Sequence, residues 1–68
     1  LPHLVIASRA DTALRHGIPF SIADVLECPG PQPVAEPVLA LSDRGEAIAV
    51  VQADAPDAPY KPLRVLSN

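Results

Sequence analysis

The chain contains no methionine and begins at Leu1. Translation starts with Met, so the sequence reads as a processed or dissected piece of something longer. It has a single cysteine, Cys28, which excludes an internal disulfide and argues against an oxidising compartment. Beside Pro29 and Gly30, that thiol reads as an inert loop residue. No stretch approaches the ~18 apolar residues of a membrane span. The N-terminus lacks the basic region and apolar core of a signal peptide. The expected location is therefore cytoplasmic, with no membrane partner. Cations are scarce: five Lys and Arg stand against eight Asp and Glu, for a net charge of −3. A freestanding nucleic-acid binder usually carries a positive excess. Any RNA contact would have to come from a local cluster.

Catalytic patterns are missing too. No two Cys or His residues sit at metal-ligand spacing. His3 and His16 are far apart in sequence and read as surface residues, so neither a metal nor a cofactor is expected. There is no glycine-rich phosphate loop, and no Ser, His and Asp align as nucleophile, base and orienter. No catalytic residue is expected within these 68 residues. A domain this small is marginally stable alone, and a partner surface would help it.

What is present is punctuated and short. Leu4-Val5-Ile6 follows Pro2 and reads as a first strand. Ser8 followed three residues later by Asp11 fits a helix cap, and Gly17 stands where a left-handed helix end would fall. The spacing predicts a two-turn helix from about Arg9 to His16, with Ala10, Ala13 and Leu14 on its apolar stripe. Asp11 and Arg15 are placed for an i,i+4 ion pair. Ser21 to Asp24 repeats the capping pattern. A single helical turn through Leu26 and a strand over 22–26 both fit that stretch. Residues 28–37 hold four prolines and read as an extended surface connection.

The clearest signal follows. Val38 to Leu41 leads through Asp43-Arg44-Gly45 to a second apolar run, 46–51, as in a hairpin with glycine in the left-handed position. That loop pairs Leu41 with Ala47, Ala40 with Ile48, Leu39 with Ala49 and Val38 with Val50. Both faces of such a hairpin are apolar, which predicts cover on both sides. Residues 54–59 (DAPDAP) read as a variable loop. A last strand starts near Lys61, with Pro62 at its start or on a sheet edge. The expected fold is mainly β with one or two short helices, a small open barrel with a helix packed on it.

Arg9, Arg15, His16, Lys61 and Arg64 are the candidate binding residues. If the last strand runs beside the helix, they form one modest basic patch.

Three segments resemble the C-terminal region of the bacterial tRNA pseudouridine synthase B family. They are LPHL with the helix ending in Arg15-His16-Gly17, DRGEAIAV over Asp43 to Val50, and YKPLRVL over Tyr60 to Leu66. Their order and spacing are similar over nearly the whole chain. The resemblance implies a single PUA-like pseudo-barrel spanning 1–68, an accessory RNA-binding domain at the end of an isomerase that modifies the T-loop uridine. It implies tRNA, on its acceptor side, and the catalytic domain of the same polypeptide as partners. The family's catalytic aspartate lies in a leucine-aspartate motif that this chain does not contain. The residues also allow a non-catalytic protein–protein or structural β-barrel module. A self-standing enzyme would need Cys28 brought close to a histidine.

Overall fold

The computed structural model describes residues 2–66. The domain is mainly β. Five strands form one mixed sheet: β1 (His3–Ile6), β2 (Val25–Glu27), β3 (Val38–Leu41), β4 (Ala47–Gln52) and β5 (Lys61–Val65), in the order β2-β1-β3-β4-β5. All neighbours are antiparallel except β1 and β3, which run parallel. One helix, α1 (Ser8–Arg15), and a 3-10 turn at Ile22–Asp24 occupy the link from β1 to β2.

The two edges of the sheet approach one another. Phe20, leading into β2, pairs with Tyr60, just before β5, through two backbone hydrogen bonds. Their rings stack with centroids 5.2 Å apart. The sheet therefore curls around one core. Leu4, Ile6, Val38, Ala40, Ala49 and Val51 point inward from β1, β3 and β4, and α1 adds Ala10 and Leu14. Ala40 and Ala49 of the central strands are fully buried and belong to the same core cluster as Phe20 and Tyr60.

The helix ends as its sequence indicates. Gly17 has φ of +74°, and the N–H groups of Gly17 and Ile18 donate to the carbonyls of Leu14 and Ala13. This is a Schellman closure, which satisfies the last carbonyls. The start differs from expectation. Ser8 lies inside the first turn, the cap position is Ala7, and no side chain caps it. The Ala7 carbonyl accepts from Ala10 and Asp11, while its N–H donates to Asp24. Tertiary backbone pairing thus fixes the start one residue earlier than Ser8 would. The second capping pattern holds: the Ser21 hydroxyl accepts from the Ala23 N–H. Residues 22–26 divide between the two alternatives, a 3-10 turn and then the start of β2.

The hairpin forms with Gly45 at φ of +83°, and Leu41 faces Ala47. Beyond that pair the register departs from the expected one. Ala40 faces Ala49, Leu39 faces Val50 and Val38 faces Val51, because a bulge leaves Ile48 unpaired. The extra residue lets Ile48 and Ala49 both be buried. Loop closure alone cannot reveal such a bulge. Burial of Val38, Ala40, Ala49 and Val51 is complete, whereas Leu39, Leu41 and Val50 on the other face are half-buried.

Residues 28–37 carry no strand or helix and are tied by hydrogen bonds to residues 53–60. Gln32 Nε2 donates to the Pro56 carbonyl and to the Tyr60 hydroxyl, which in turn donates to the Pro33 carbonyl. Ala35 donates to Ala53 from a left-handed conformation, φ +58°. No helix among the described residues is long and apolar enough to cross a membrane.

Candidate nucleic-acid interface

The five candidate cations fall into two groups on opposite sides of the sheet. Arg9, Arg15 and His16 ride on or just after α1, whose buried side joins the core. Lys61 and Arg64 ride on β5, where they face Gln52 and Val50. Gln52 and Val50 lie on the side of β4 away from Ala49 and Val51, hence on the outer face. Although α1 touches β5, the five do not form one patch.

The helix group is neutralised within the fold. Arg9 pairs with Asp24 and Arg15 pairs with Asp11. Hydrogen bonding to Asp11 holds the Arg15 guanidinium above its ordinary pKa, against some desolvation, with Glu46 adding charge attraction. His16 Nδ1 lies 3.0 Å from the Thr12 carbonyl. An open cleft of about 470 Å³ beside the hairpin turn brings Arg15 and Arg44 together with Asp11, Asp43 and Glu46. Its charges nearly cancel, so it offers an anion little net attraction.

The strand pair is different. Lys61 and Arg64 are three residues apart, a spacing that puts side chains on opposite faces of a regular strand. A second bulge removes that conflict. Val50 faces Arg64, Val51 faces Pro62, and Leu63 is the extra residue between them. Lys61 and Arg64 therefore share the outer face. Arg64 is exposed and makes no ion pair with another described residue. Lys61 Nζ lies 3.1 Å from Asp54 Oδ2.

A cross-strand row continues from this pair. Arg64 faces Val50, Val50 faces Leu39, and Leu39 faces His3. Four strands at ~4.8 Å spacing put His3 roughly 14 Å from Arg64. The outer face is thus a half-buried aliphatic centre with two cations on the edge strand β5 and a histidine on β1. His3 belongs to this face through the parallel pairing of β1 with β3. Nothing in the local sequence around His3 signals that pairing.

A smaller cleft of about 250 Å³ lies at the β1–β2 side, lined by His3, Val5, Glu27, Cys28 and Pro29. It brings Cys28 and a histidine to one opening. Yet the Cys28 thiol is directed at the carbonyls of Gly30 and Pro31, at 3.8 and 3.9 Å. Among the described residues no imidazole hydrogen-bonds this thiol, the contact that would activate it as a nucleophile. No group of three His, Cys, Asp or Glu suited to a metal occurs among the described residues.

The chain matches no protein-family model, and no curated protein matches it.

Proposed function

We propose that this domain is a non-catalytic RNA-contact module, the accessory PUA-like domain of a tRNA pseudouridine synthase that modifies the T-loop uridine. One observation supports this reading above the others. The bulge at Leu63 sets Lys61 and Arg64 on one exposed face, in the YKPLRVL segment that resembles the family's ending. Cations placed this way contact phosphates, which position an RNA without reading its sequence. The acceptor side of tRNA is the element the resemblance implies. With two cations carrying the contact, binding is weak and salt-sensitive.

A second reading has its own support. Three of the five candidate cations already hold carboxylates, as befits a structural or protein-binding module. Fluorescence anisotropy of the chain with whole tRNA across a salt series separates the two. An RNA-contact module gives a log–log salt slope of about −2, near one unit per cation. Absence of binding at low salt favours the structural module.

A further inference from the structure

The loop between β4 and β5 ends in the ion pair Asp54–Lys61, which closes it like a clasp at its base. Both side chains are largely open to water, 62% for Asp54 and 58% for Lys61. The other two acids differ. Asp24 and Asp11 are mostly covered, at 17% and 20%, and they belong to the helix side of the domain. Among the described residues, Asp54 alone pairs with a cation on the outer face. Lys61 donates to its carboxylate, and the Gln52 amide, directly opposite Lys61 on that face, also favours the ionised form. Together these hold the carboxyl below its ordinary pKa. Asp54 is therefore ionised near neutral pH and occupies the ammonium of one of the two cations.

We propose that Asp54 is a built-in competitor for the RNA backbone: its carboxylate holds Lys61 in the free domain and gives way to a phosphate on binding. The proposal rests on the RNA-contact reading above. An exposed ion pair is held by little free energy and opens readily. A polyanion gains from releasing its counterions when a lysine neutralises a phosphate, whereas a single aspartate does not. The loop 53–60 thereby sets the affinity of the outer face without touching the RNA itself.

The test compares Asp54→Asn with Asp57→Asn, the same charge change at an exposed position of the same loop. Binding to whole tRNA is read by anisotropy at several salt concentrations. Asp54→Asn is expected to bind about two- to fivefold tighter than Asp57→Asn, the range of an exposed pair. Its salt slope stays at about −2, because Lys61 neutralises a phosphate in the complex with or without Asp54. The gain disappears in the double variant Asp54→Asn/Lys61→Met. Equal affinities of the two Asn variants, or a gain that survives the loss of Lys61, overturn the competitor while leaving the RNA reading intact. A wild-type chain with no salt-sensitive binding at all overturns both.

Discussion

Tyr60 is the residue on which most of the architecture converges, and removing its hydroxyl alone is a sharp perturbation. The ring is fully buried and stacks on Phe20. The hydroxyl accepts from Gln32 and donates to the Pro33 carbonyl. In Tyr60→Phe the stack survives and Gln32 keeps its bond to the Pro56 carbonyl. The buried Pro33 carbonyl loses its donor. Leaving a buried acceptor unsatisfied costs about 1–2 kcal/mol. Tyr60→Leu adds the lost stack and the vacated ring volume, for about 2–4 kcal/mol in total. A domain of 68 residues has roughly 3–10 kcal/mol of stability to lose. Tyr60→Phe should therefore lower the thermal midpoint by roughly 5–15 °C and leave the domain folded. Tyr60→Leu should bring it close to unfolding at 37 °C. Urea denaturation followed by far-UV circular dichroism gives the free energies, with the m-value checking that the transition stays two-state. A Tyr60→Phe variant within ~0.3 kcal/mol of wild type would refute the claim that this hydroxyl ties loop 28–37 to the core.

Three further substitutions and one titration probe the rest. Gly45→Ala should cost about 1 kcal/mol in urea melts, because its φ of +83° is unfavourable for alanine although an added Cβ would meet nothing within 4 Å. Ala35→Gly should move the other way, by about 0.5–1 kcal/mol, by relieving the left-handed conformation at φ +58°. Ser42→Ala removes the acceptor of the Arg44 and Glu46 N–H groups from the hairpin turn and should cost about 1–2 kcal/mol. Asp54 should titrate below the ordinary aspartate range, seen by its carboxyl carbon shift, and return to that range in Lys61→Met. Because the folded value is the lower one, its small stabilising contribution is complete above about pH 4 and fades as pH falls further.

Local features were largely readable from the residues. The hairpin with Gly45, the helix end at Gly17, the Asp11–Arg15 pair and the strand starting at Lys61 all depend on neighbours close in sequence, whose spacing carries the information. The failures share one cause. Ser8 looks like a cap, yet Ala7 takes that place because its N–H pairs with Asp24, 17 residues away in sequence. The hairpin register follows loop closure only until the bulge at Ile48, which the demand for core burial places, not the turn. The candidate cations illustrate the same point. Sequence spacing puts Lys61 and Arg64 on opposite faces, and the bulge at Leu63 joins them. Arg9 looks unpaired along its helix and finds Asp24 across the fold. His3 reaches the outer face through a parallel strand pairing that no local pattern announces. Bulges and long-range pairings are properties of the assembled sheet, and they decide which side chains share a surface.

The central claim is that Lys61 and Arg64, on the outer face of the sheet, carry the contact with RNA. Its most direct test measures tRNA affinity at low salt for two charge-reversed variants, Lys61→Glu/Arg64→Glu and Arg9→Glu/Arg15→Glu. Each changes the net charge by the same amount. The account predicts that the strand reversal abolishes salt-dependent binding, while the helix reversal weakens it only by the general charge effect. Equal losses in the two variants, or a larger loss from the helix pair, would contradict it.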